Sequence, residues 1–123
     1  MTKWFEELPD KCPPDNAFNP EGYTFYRLTT GDTPTEQDFF SQRANCPDCN
    51  FRNVSECIAR SLSVWDDVEK CLNLLKLPRH KNKKLITLPL KSTDGLVLQT
   101  FKQNHHSWWR SSSFDVASIV TPQ

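Results

Sequence analysis

The chain has 123 residues, 37% of them hydrophobic and 24% charged, with 15 Lys+Arg against 15 Asp+Glu for a formal net charge of +0. That length fits one domain, the four Trp and eight Phe exclude an intrinsically disordered chain, and the neutrality excludes an extended nucleic-acid footprint. No apolar run approaches the roughly 18–20 residues that span a bilayer, and the start Met1-Thr-Lys-Trp-Phe lacks a signal-peptide profile, so no membrane contact and a cytoplasmic location are expected.

Residues 1–22 read as an extended lead-in, because Pro9, Pro13, Pro14 and Pro20 fix φ and remove backbone donors. Residues 23–28, rich in aromatics, predict a strand, and Gly31-Asp32 turns the chain. Thr33 as cap, Pro34 at the first position and Glu36 three residues after the cap predict a helix to about Arg43. Residues 44–55 are a polar loop, and 60–65 predict a second strand. Asp66 or Asp67 caps a helix to about Leu77, with Val68, Cys71, Leu72 and Leu75 on its apolar face. Residues 79–84 are a basic connector. Residues 84–90 and 96–101, joined by Ser92-Thr-Asp-Gly95, predict a hairpin. Residues 103–113 read as a polar and aromatic loop, and 114–120 as a last short strand. The expected fold is α+β: one domain over 23–123, a small, mostly antiparallel sheet and two short helices.

Five cysteines and no export signal make reduced thiols the expectation. Cys46-Pro-Asp-Cys49 has the spacing of one zinc knuckle, which Cys12, Cys57, His105 or His106 would have to complete through the fold. The alternatives are a redox pair, or free cysteines in a loop. Cys57 and Cys71 lie in apolar patterns and read as core. Asn53-Val-Ser55 matches a glycosylation acceptor, which carries meaning only in an exported chain.

The most unusual stretch is His105-His-Ser-Trp-Trp-Arg110. Imidazole is an acid or base near neutral pH, and indole stacks a flat ligand, so His105 and His106 are candidate catalytic groups and Trp108 and Trp109 candidate ligand contacts. The alternative is that both Trp plug the core and both His face solvent. Arg27 shares a strand face with Phe25; if that face is buried, Arg27 needs a carboxylate or a ligand phosphate, and at an edge it lies exposed on an aromatic. Ser61 and Ser63 alternate with Leu62 and Val64, and their hydroxyls line a cleft or face solvent. Three glycines in the whole chain exclude a glycine-rich phosphate cradle. Charge is uneven: residues 1–62 hold 6 Lys+Arg against 10 Asp+Glu, and residues 63–123 hold 9 against 5.

On Phe25-Tyr-Arg-Leu28, Pro34-Thr-Glu-Gln-Asp-Phe39, residues 56–64 and His105-His-Ser-Trp-Trp109, the chain resembles an uncharacterised family of small bacterial proteins. It also resembles the ADP-ribosyltransferase-like fold. There, a first-strand Arg in a Tyr-Arg pair, here Tyr26-Arg27, holds NAD, and a Ser-x-Ser strand followed by a helix, here Ser61-Leu-Ser63, supports the nicotinamide side. That family uses a late Glu. This chain has none after Glu69, and the resemblance leaves His106 or Asp115 to stand in. The resemblance implies an NAD- or nucleotide-binding cleft. The alternative reading is a non-catalytic interaction module, an accessory or immunity-type partner of a larger effector protein, with the Trp pair and the charged poles as its interface or with zinc as its staple.

Overall fold

The computed structural model describes residues 3–119. Its core is a five-stranded sheet in the order β3-β1-β2-β5-β4, every neighbouring pair antiparallel. The strands are β1 (Phe25–Thr30), β2 (Leu62–Trp65), β3 (Lys83–Leu88), β4 (Gly95–Gln99) and β5 (His105–Arg110). Three helices, α1 (Gln42–Asn45), α2 (Glu56–Ala59) and α3 (Val68–Leu75), and four 3-10 turns complete the described elements. The α+β class expected from the pattern is the class observed. No helix among the described residues is long and apolar enough to cross a membrane.

Each helix starts on a side-chain cap. Ser41 Oγ accepts from the Ala44 N–H at 3.1 Å, Ser55 Oγ from Ile58 at 3.2 Å, and Asp67 from Glu69 at 2.8 Å. The helix expected from Thr33 to Arg43 is instead two pieces, a 3-10 turn Glu36–Phe39 and then α1. Asp38 causes the break. Its carboxylate accepts from the Thr35 N–H at 2.8 Å and from the Thr30 N–H and hydroxyl, so the turn is tied back to β1 rather than continued. In α3 the buried residue is Cys71, with Leu74 and Leu75 half-buried, while Val68 and Leu72 are exposed; the apolar face is therefore rotated from the one expected.

The largest difference concerns the second half. Residues 84–90 and 96–101 do not pair. β3 and β4 lie at opposite edges of the sheet. β4 instead forms a hairpin with β5, Gly95 opposite Arg110 and Gln99 opposite His106. The supposed loop 103–113 thus contains β5, which lies between β2 and β4 with all six residues buried. The turn before it is built on left-handed backbone at Phe101 (φ 63) and Asn104 (φ 72), one of them a residue that disfavours it. The strand expected over 114–120 is a 3-10 turn, Val116–Ser118, over its described part, and residue 120 lies outside the described residues.

Strand alternation gives the sheet two unlike faces. One carries Phe25, Leu62, Val64, Ile86, Leu88, Val97 and Trp108, which Phe39, Leu90, Phe114 and Val116 cover to form the core. Burying a side chain of this size is worth roughly 1.5–3 kcal/mol. The lead-in seals the far edge: Phe18 and Val97 exchange backbone hydrogen bonds of 2.8 and 2.9 Å, and a Cys12–Cys57 disulfide fastens it to α2. The other face presents Ser63, Trp65, His105, Ser107 and Trp109, with Ser63 opposite Ser107 and Trp65 opposite His105.

Candidate functional site

The second face carries the cleft. β1 and β2 pair only at Tyr26 and Trp65, and beyond that point the Arg27 guanidinium bridges them. Nη1 donates to the Ser63 carbonyl at 2.5 Å, and Nε and Nη2 donate to the Asp38 carbonyl at 3.0 and 2.9 Å. Arg27 is half-buried while Phe25 is fully buried, and its partners are carbonyls rather than a carboxylate. Three of its five N–H groups are used, and two remain. Burial draws its pKa down to about 10, against a raising influence from Asp38, so it stays cationic at neutral pH.

Beside it lies a cavity of about 520 Å³, within the usual size of a ligand site. Ser63, His105, Trp65 and Phe101 line it, together with Arg27, Arg79, Lys83 and Lys102. Its described lining includes no carboxylate. A neighbouring cavity of about 400 Å³ shares Arg27, Ser63, Lys83 and Phe101 and adds Ser61 and Ser107. A third, of about 420 Å³, runs from Arg27 and Lys83 towards Asp38. The cations come from the basic connector and the β4–β5 turn, so the positive half of the chain supplies most of the charge in the cleft.

The polar floor is a chain of hydrogen bonds. Ser63 Oγ lies 2.9 Å from His105 Nε2. His105 Nδ1 is 3.1 Å from both the carbonyl and the hydroxyl of Thr100, and that hydroxyl is 2.8 Å from Ser107 Oγ. Trp65 meets the imidazole edge-on at 4.8 Å, and Phe101 lies 5.5 Å away on the other flank. Burial lowers the His105 pKa, the Thr100 hydrogen bond opposing it and His106 and Lys102 adding to it, so the site favours the neutral ring.

Arg27, Ser63 and His105 therefore meet, from β1, β2 and β5, three strands in adjacent positions. Ser61 lies along the same cleft, but its hydroxyl donates to the Ile58 carbonyl at 2.7 Å and closes α2. His106 is on the opposite face, between Phe25 at 5.1 Å and Phe18 at 6.1 Å, with Nδ1 3.9 Å from Asp66. Asp115 is exposed and caps the last 3-10 turn through Ala117. Neither His106 nor Asp115 reaches the cleft lining, whereas His105 does.

Trp108 and Trp109 are both 0% exposed. Their indoles donate to the Asp94 carbonyl at 3.0 Å and the Cys57 carbonyl at 2.9 Å, so they neither stack in the cleft nor form a surface patch. The expectation of reduced thiols is corrected as well. Cys12 and Cys57 form a disulfide, Cys46 and Cys49 form another, and Cys71 is free and buried. Cys57 is thus a staple rather than core filling. The 46–49 loop wraps one guanidinium: Arg43 Nη1 donates to the carbonyls of Pro47 and Cys49 at 2.8 Å, while Glu56 holds its other side at 2.8 Å. Sulfurs bonded to each other offer no thiolate to zinc. Among the described residues no group of three or more His, Cys, Asp or Glu side chains is arranged to hold a metal ion.

Trp65, Thr100, Phe101 and Lys102 were not singled out by the sequence. Lys102 and Phe101 follow a strand in a polar stretch, which is a weak signal, and Thr100 has none. Set against protein-family models, curated proteins and solved structures, the chain matches none of them.

Proposed function

We propose that the protein is a nucleotide-binding domain whose cleft takes a ligand of the NAD class. One observation carries this reading: Arg27, Ser63 and His105 converge from adjacent strands on a cavity whose other charged lining groups are all cations. Phosphate is the natural complement of Arg27, which brings two unused N–H groups, and of Arg79, Lys83 and Lys102. Trp65 and Phe101 offer flat apolar walls to a base or nicotinamide. The resemblance of Tyr26-Arg27 and Ser61-Leu-Ser63 to the NAD-holding positions of the ADP-ribosyltransferase-like fold supports the same ligand. His105 takes the place of the absent late Glu in this reading. Two disulfides suit an oxidising compartment better than the cytoplasm expected from the sequence, and we place the protein there.

Calorimetric titration with NAD, ADP-ribose and nicotinamide tests the reading. Binding of the first two is expected, weakened about tenfold or more by Lys83→Glu, which reverses a half-exposed cleft charge without touching the β1–β2 bridge. Arg27→Ala should weaken it further. No binding at millimolar nucleotide, or binding indifferent to Lys83→Glu, overturns the proposal. Labelled NAD then reports nicotinamide release and label transfer.

A further inference from the structure

We propose that Ser63 is a nucleophile activated by His105, and that the pair hydrolyses negatively charged esters through an acyl-serine intermediate. This goes beyond nucleotide binding and does not depend on it.

The roles follow once the His105 ring hydrogen sits on Nδ1, which lies 3.1 Å from both the Thr100 carbonyl, able only to accept, and the Thr100 hydroxyl, whose own hydrogen then turns to Ser107 Oγ at 2.8 Å. Nε2 is then the basic nitrogen, and it faces the Ser63 hydroxyl at 2.9 Å. Nucleophile, base and orienting group stand in the order that hydroxyl activation requires. His105 is 6% exposed and gripped by Trp65, so its ring is preorganised, whereas Ser63 is exposed to the cavity. Ser107, directly across the strand pair, is 1% exposed and bonded to Thr100, so it does not compete. Among the described residues, Ser63 is the one serine hydroxyl that is both exposed and paired with an imidazole.

In the first step Ser63 Oγ bonds to the ester carbonyl carbon and its proton passes to His105 Nε2. The ester C–O bond breaks, and the leaving alkoxide takes that proton. Water then attacks the acyl-serine, Nε2 accepts its proton, and the acid departs as Ser63 Oγ is reprotonated. The balance is ester plus water to acid plus alcohol. The cations around the cavity select a substrate bearing a carboxylate or phosphate, and the unused N–H groups of Arg27 are available to a developing oxyanion. A carbonyl in place of an orienting carboxylate gives a weaker base, so slow turnover is expected.

The test uses the whole chain with para-nitrophenyl hemisuccinate, neutral para-nitrophenyl acetate and a fluorophosphonate probe. Expected are a stoichiometric label on Ser63, preference for the anionic ester, and a fall of about 100-fold or more in kcat/KM for Ser63→Ala and for His105→Gln. The double variant should be no worse than either single one. In Ser63→Cys, alkylation by iodoacetamide should be faster than that of a free cysteine at pH 7, because His105 draws off the thiol proton. That measurement holds even if His105→Gln fails to fold. Labelling elsewhere, hydrolysis persisting in Ser63→Ala, or an ordinary alkylation rate for Ser63→Cys overturns the proposal. Nucleotide affinity is read separately in the unsubstituted chain and in Lys83→Glu, so failure here is distinguishable from failure of the nucleotide reading.

Discussion

Gly95 opens β4 with φ 132, and a Cβ there would run into the Trp109 carbonyl oxygen and approach Trp108 Nε1 to 3.0 Å. Neither neighbour can give way, because one is backbone in a central strand and the other is a buried indole. Gly95→Ala is therefore expected to cost about 3 kcal/mol or more in denaturant unfolding, and a variant of wild-type stability would refute this account. A second residue-scale consequence concerns His105 and His106. Burial lowers the pKa of both, with Asp66 opposing it at His106. The unfolded chain then binds more protons near pH 6.5 than the folded one, so stability is fully present above that pH and is lost as pH falls. Thermal melts from pH 8 to 5 should show Tm falling below about pH 6.5, and His106→Gln should flatten part of the slope. A Tm that rises on acidification would contradict the burial. At this scale the sequence was informative about residue types: one of the two imidazoles, the strand Arg and one of the two alternating serines do meet. It gave no sign of Thr100, whose contribution is a carbonyl that any residue possesses.

At the scale of elements, the legible parts were those whose local chemistry is sufficient. The aromatic run of β1, the alternation in β2 and the Asp67 cap of α3 each specify their element within a few neighbours. β5 resembles a loop in sequence because it is flanked by Lys102, Gln103 and Asn104 on one side and Ser111, Ser112 and Ser113 on the other, and its own His, Ser and Arg are uncommon in a sheet centre. Most of them are tolerated there because they find partners on neighbouring segments, as when Arg110 donates to Glu36 at 2.9 Å and to the Phe39 carbonyl at 3.1 Å, whereas His106 Nδ1 is buried without a hydrogen bond, 3.9 Å from Asp66. The hairpin expected between β3 and β4 failed for a related reason. Ser92–Asp94 is a turn, but Asp94 accepts from the Lys91 N–H and its carbonyl binds Trp108, which swings β4 to the far edge. The Cys12–Cys57 link joins the lead-in to α2 over a separation of 45 residues. Chain-entropy reasoning puts its contribution at about 4 kcal/mol. Cys57→Ser should thus lower Tm by more than about 10 °C. In the unfolded, unreduced protein one thiol should react with a thiol reagent, that of Cys71. Five reactive thiols before reduction would remove both bridges from the account.

At the scale of the molecule, the charge asymmetry of the sequence acquires a location. The positive half contributes Arg79, Lys83 and Lys102 to the cleft rim, and the negative half spends Asp38 and Glu56 on its own turns and on Arg43. The overall neutrality therefore hides a cavity with a positive field, where ligand selection by charge can operate.

Composition, alternation and caps were enough to give the α+β class and a mainly antiparallel sheet. Those properties depend on short-range patterns that each segment carries alone. Strand order, the burial of Trp108 and Trp109, the pairing of the cysteines and the separation of His105 from His106 onto opposite faces were decided only in the tertiary structure. They depend on which distant segment occupies the space beside each residue, and a strand register shifted by one would exchange those faces.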